Sequence, residues 1–198
     1  VVGLGKTVIA TMIAKQFCID NGYEHTKILV VYPPAVEENW KQTFKDFGLD
    51  RYTRFISNGS LKKVLDEDNL DYWNAGEYDL ILVDEAHKFR TRSNNAFTEL
   101  QKICKMPRLE QGNIKGFKKK VMLISATPMN NTPADLYNEI ILFQDPHCCT
   151  IDGVPNLTSF FAPLIVEFRR LRSNPTYDLK KFKALAEKVR ERVIKPLT

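Results

Sequence analysis

Three apolar runs, each stopped abruptly by acidic, hydroxyl or proline residues, constrain this chain more than any other feature. They read "KILVVYPP" from Lys27, "YDLILVDEAH" from Tyr78 and "KKVMLISATP" from Lys119. Each suits a single strand and is apolar at successive positions rather than alternate ones. Such a strand must be covered on both faces, which is the signature of a parallel sheet between layers of helix. The intervening segments supply those helices. Val8 to Cys18 has helix-compatible apolar spacing, and "AVEENWKQTFKDFG" reads as a helix closed by Gly48. "NNAFTELQKIC" reads as a helix capped by Ser93, and "PADLYNEIILF" as one with Pro133 in its first turn. "YTRFIS" adds a further strand. The expected fold class is α/β, with a mainly parallel sheet and helices on both faces.

In open sheets of this kind ligands bind at the carboxyl ends of the strands. The chain opens "VVGLGKTVIA". Gly3, Leu4, Gly5, Lys6 and Thr7 read as the second half of a phosphate-binding loop, G-x-x-x-x-G-K-[ST], whose first glycine falls one position before Val1. Backbone N–H groups from Gly3 to Thr7, with the N-terminus of the next helix, would cradle phosphate. Lys6 would reach the β- and γ-phosphates of ATP, and the Thr7 hydroxyl would bind Mg²⁺. Asp84 ends an apolar run where a carboxylate can meet that Mg²⁺, directly or through water. Glu85 follows it and is placed to orient or deprotonate an attacking water. Without the Gly-Lys-Thr loop these two would be an acidic helix cap. Ser125 and Thr127 end the run expected to lie beside theirs, where small hydroxyls can hydrogen-bond the acidic loop.

Composition narrows the classes. A net charge of +5 and a pI near 9.0 lean toward polyanionic partners. A chain that is 43% hydrophobic and 27% charged has ample material for a core, which argues against wholesale disorder. No apolar run reaches bilayer length, and Val1 to Ala14 does not read as a secretory leader. Cys18, Cys104, Cys148 and Cys149 form no C-x-x-C pair and have no histidine at ligand spacing. They read as reduced thiols of an intracellular protein, cytoplasmic or, in a eukaryote, nuclear.

Four segments, "GLGKT", "VVYPPAVEENW", "DEAH" and "SATPMNN", occur in an order that resembles superfamily-two helicase-like ATPases. The similarity is greatest to Swi/Snf-type DNA translocases and their bacterial relatives, on the Pro-Pro to Trp spacing and the "TPMNN" tail. The resemblance implies a RecA-like P-loop NTPase fold, ATP and Mg²⁺ as cofactors, and double-stranded DNA as partner. On this chain it makes Gly3, Gly5, Lys6 and Thr7 the nucleotide loop, and Asp84 and Glu85 the Mg²⁺ and water-activating pair. His87 becomes the link from the acidic motif to the coupling motif Ser125, Ala126 and Thr127. Pro33 and Pro34 fall in the region that meets the nucleic-acid backbone. Lys88, Arg90 and Arg92 form either a phosphate-contacting loop or an ordinary solvated one.

The resemblance places a first RecA-like lobe at residues 1–145 and a helical extension at 146–198. The extension leads toward a second lobe in cis, which carries an arginine finger. Losing such a finger typically lowers phosphoryl transfer roughly 10³- to 10⁵-fold, so residues 1–198 alone are expected to be nearly inactive. The extension reads as helices, the second with Leu179, Phe182, Leu185, Val189 and Val193 near one face. It serves either as the insertion these motors carry or as a cap over the sheet edge. Two further functional readings stand beside the DNA translocase. One is the motor subunit of a restriction or phage-defence system, or a strand-separating helicase. The other is a decayed ATPase kept as a binding module.

Overall fold

The computed structural model describes residues 5–92, 94–109, 118–125, 132–173 and 179–197. The chain divides into two compact units, residues 1–127 and 128–198.

In the first unit, helix α1 (Lys6–Asn21) leads into strand β1 (Ile28–Tyr32). Helix α2 (Glu37–Asp46) and strand β2 (Thr53–Ser57) follow, then a single turn, α3 (Lys62–Leu65). Strand β3 (Leu80–Asp84), helix α4 (Asn95–Lys105) and strand β4 (Lys120–Ile124) complete the unit. Among the described residues the strands form one parallel sheet in the order β2-β1-β3-β4, with Ile28 opposite both Thr53 and Leu80. Two of the three continuous apolar runs are explained by position, and the third, β4, is less covered than its sequence predicts. β1 and β3 are central and buried at every residue, whereas β2 and β4 are partly open. From β1 the chain crosses to β2 on one side, and from β3 it crosses to β4 on the other. The carboxyl ends of β1 and β3 therefore flank a topological switch point, the position at which sheets of this kind bind ligands.

Helix α1 starts where the sequence places it. Gly5, at φ 69°, turns the chain through the left-handed region that a side chain disfavours, and the helix follows at once. Its inner face is Ala10, Thr11, Ala14 and Cys18. Ala10, Ala14 and Cys18 pack in a core with Ile28, Val30, Trp40, Phe44 and Leu82. Gly48, at φ 71°, closes α2, with its N–H on the Lys45 carbonyl at 2.9 Å. Trp40 and Phe44, one turn apart on α2, are fully buried with ring centroids 5.9 Å apart. Phe44 meets Phe55 of β2 edge-on at 5.4 Å. At the opposite, amino edge of the sheet, Asp79 ties strands together. It accepts from the Lys27 N–H at 2.9 Å and from the buried Arg108 Nε at 2.8 Å. Lys119, also buried, donates to the Met106 carbonyl there. Helix α4 is capped by the Asn94 side chain on the Ala96 N–H. Ser93, the expected cap, lies outside the described residues.

The second unit begins with α5 (Pro133–Ile140). Thr132 and Asp135 form a reciprocal capping box, and Pro133 stands at the first helical position as its sequence predicts. Tyr137 joins α5 to α6 (Leu157–Ser173), with its ring 5.4 Å from Phe161 and its hydroxyl 2.9 Å from the Thr158 hydroxyl. Helix α7 (Leu179–Val189) runs through a π-helical stretch, Arg190–Ile194, into α8 (Lys195–Leu197). Leu185, Val189 and Val193 are buried, as the helical spacing requires. The side chains of Leu179 and Phe182 lie outside the described residues. All four cysteines are free thiols. Among the described residues no helix is long and apolar enough to cross a membrane.

Candidate phosphate and metal site

Residues far apart in sequence meet at the switch point. The Lys6 Nζ, in the first turn of α1, lies 3.4 Å from Glu85 Oε1 just past β3. His87 Nδ1 lies 3.0 Å from the other carboxylate oxygen and 3.3 Å from the Ser125 hydroxyl beyond β4. An ionised carboxylate only accepts hydrogen bonds, so its neighbour assigns the proton to Nδ1, which Glu85 and Ser125 then share. The backbone is bent to reach this arrangement. Glu85 has φ 51° and ψ 47°, the only left-handed non-glycine residue among those described. That turn lets its own N–H donate back to Asp84 Oδ1 at 2.9 Å. Asp84 itself is nearly buried at the end of β3.

Two further contacts come from α2. The Trp40 indole N–H donates to Asp84 Oδ2 at 2.9 Å, in a buried setting. One residue earlier, Asn39 Nδ2 donates to the Thr7 hydroxyl oxygen at 3.3 Å. One helix therefore orients the oxygens of both Thr7 and Asp84. These donors escape a reading of the sequence. Trp40 is visible there as an apolar residue at a set distance from Pro33 and Pro34, but the carboxylate it meets is 44 positions away.

A profile described as "Type III restriction enzyme, res subunit", ResIII for short, matches residues 1–130, about two thirds of the chain. The chain belongs to the ResIII family. This ResIII domain is 23% identical over 156 residues to "Uncharacterized ATP-dependent helicase YqhH" of Bacillus subtilis (strain 168), a match covering 74% of this chain and 25% of that protein. It is 29% identical over 150 residues to "SWI/SNF-related matrix-associated actin-dependent regulator of chromatin subfamily A-like protein 1" of Xenopus tropicalis, covering 70% of this chain and 14% of the relative. The chain thus spans a quarter or less of the length of these relatives. In fold it matches "Sulfolobus solfataricus SWI2/SNF2 ATPase core in complex with dsDNA", with a TM-score of 0.52 at 18% identity, over 94% of this chain and 37% of that one. The superfamily-two, Swi/Snf-type resemblance and the RecA-like α/β architecture are both borne out.

The remaining expected site residues of the ResIII domain divide by location. Gly3, Leu4, Ala126 and Thr127 lie outside the described residues. Pro33 is buried at the end of β1 and Pro34 is exposed, starting the short turn that leads into α2. Lys88 and Arg92 are exposed. Arg90 is engaged in the fold, with its Nε donating to the His87 carbonyl at 2.6 Å. It braces the turn that carries the histidine.

The oxygens gathered here suit Mg²⁺. Thr7 offers a hydroxyl and Asp84 a carboxylate, both hard donors held by N–H groups. Among the described residues no cluster of three or more His, Cys, Asp or Glu forms a protein cage for a metal. Mg²⁺ keeps several waters and takes one or two protein oxygens beside substrate phosphates, a demand that one hydroxyl and one carboxylate can meet.

Proposed function

We propose that this chain is the ATP-binding lobe of a motor that couples ATP hydrolysis to movement along double-stranded DNA. The observation that carries the reading is the convergence of Lys6 and Glu85 at 3.4 Å, with Asp84 beside them at the switch point. In this reading the Lys6 ammonium moves from Glu85 to the β- and γ-phosphates, and the freed carboxylate takes the proton of the attacking water. Thr7 and Asp84 would hold Mg²⁺, which offsets the charge that builds on the phosphate oxygens. His87, sharing its proton between Glu85 and Ser125, ties the state of the carboxylate to β4 and so to the coupling motif. A second lobe would close on this edge and supply the arginine finger.

The double-stranded DNA bound by the Sulfolobus core supports DNA as the track. The net charge of +5 suits a partner recognised through its phosphates. The family description favours one second reading, the motor subunit of a restriction system. Both share the same chemistry. They separate when the full-length protein is assayed for triplex displacement and strand separation, with and without an associated nuclease. The ATPase reading itself is tested by DNA-stimulated hydrolysis in the full-length protein and its Lys6→Ala form. Stimulated turnover is expected only in the former, and equal rates refute the role given to Lys6.

A further inference from the structure

We infer that α2 is the positioning element of the metal site, acting through Trp40 and Asn39. The inference rests on the ATPase reading above, but its observations are separate. Trp40 is wholly buried, and its one polar atom is spent on Asp84 Oδ2 at 2.9 Å. Burial of an indole normally leaves its N–H to whichever acceptor is nearest, often a backbone carbonyl. Here the acceptor is the side chain expected to face Mg²⁺. The adjacent Asn39 points its amide at Thr7 Oγ1, the other expected ligand, at 3.3 Å. The Thr7 oxygen has two lone pairs, so one N–H donor leaves the second for a cation. The Asp84 carboxylate also accepts from the Glu85 N–H on Oδ1, so both its oxygens are oriented and both keep acceptor capacity. Consecutive residues on a helix point about 100° apart, which is how one turn of α2 addresses both β3 and α1. The packing of Trp40 on Phe44 fixes the rotation of the helix and hence both donors.

Groups that orient metal ligands without touching the metal typically change its affinity about 10- to 100-fold when removed. Trp40→Phe keeps the ring in the core and deletes the N–H. Asn39→Ala deletes the other donor at an exposed position, where the fold is indifferent. In the full-length protein, ADP binding is followed by calorimetry while MgCl₂ is titrated, with Mn²⁺ paramagnetic resonance as a direct count of bound metal. Each variant is expected to need about tenfold more metal for half-maximal ADP binding, with metal-free ADP affinity unchanged. Turnover at low Mg²⁺ should fall and be restored by excess Mg²⁺, a rescue that damaged packing would not show. Wild-type metal midpoints in both variants overturn the inference and leave the ATPase reading standing. Should Trp40→Phe fail to fold, the midpoint of Asn39→Ala decides by the same criterion. Absence of Mg²⁺-dependent ADP binding in the wild-type protein overturns both.

Discussion

Glu85 does two jobs that oppose each other, and their separation can be measured. Its side chain faces Lys6 and His87, while its backbone sits at φ 51°. The left-handed conformation costs an L residue with a Cβ about 1–2 kcal/mol, and glycine escapes this. The ion pair with Lys6 is partly solvated, with 29% and 28% of the two side chains exposed, so it contributes about 0.5 kcal/mol. Glu85→Gln removes the charge and keeps the Cβ, and should lose about 0.5–1 kcal/mol of stability. Glu85→Gly removes both, and should be about 1 kcal/mol more stable than Glu85→Gln, near or above wild type. In a chain of this length that difference is about 2–4 °C in Tm. Urea unfolding at pH 7 with a shared slope measures it. In the full-length protein the proposed function has both variants lose turnover about 10²- to 10⁴-fold, because on that reading each lacks the general base. A Glu85→Gly chain no more stable than Glu85→Gln would refute the claim that the site holds backbone strain.

Two other expectations concern the frame of the fold. Burial pushes the Lys119 ammonium down to about 8 from its ordinary 10.5, with Asp79 only partly offsetting that. A lowered folded-state value means the unfolded chain binds more protons between pH 8 and 10.5, so this group costs stability below pH 8 and stops costing above 10.5. Lys119→Met should therefore stabilise the chain at pH 7 by about 2 kcal/mol, after allowing for the lost hydrogen bond to Met106, and the gain should vanish by pH 10.5 in parallel urea titrations. Thr132→Ala removes half of the capping box on α5 and should lower stability by about 1 kcal/mol, read by thermal unfolding and restored by Thr132→Ser.

Much of this was legible because the signals are local. Continuous apolar runs announced a parallel sheet covered on both faces, which β1 and β3 fulfil, whereas β4, read the same way, ends the sheet and is partly open. Gly5 and Gly48 marked a helix start and a helix end through a conformation that few other residues tolerate. The meeting of Lys6 with Glu85 was also inferable, since the order of strand-end motifs implies a common edge. What remained hidden depends on distant pairings. The indole of Trp40 is apolar by every periodicity measure, and only the docking of α2 against β3 reveals it as a donor to Asp84. Arg90 reads as one of a basic run, yet its Nε braces the histidine turn. The left-handed backbone of Glu85 has no local cue either, because nothing in its residue type favours it.

The strand order carries a cost in time. The partner of β1 on its β3 side is encoded about fifty residues downstream, and the carboxylate that meets Lys6 is 79 residues downstream. At ribosomal speeds of roughly 5–20 residues per second, that carboxylate emerges roughly 4 to 16 s after the lysine. Until then Ile28–Tyr32 is a wholly apolar strand lacking one of its two neighbours, an open edge able to pair with other nascent chains. Slower synthesis between Ile28 and Leu80 lengthens the interval in which that edge stands open.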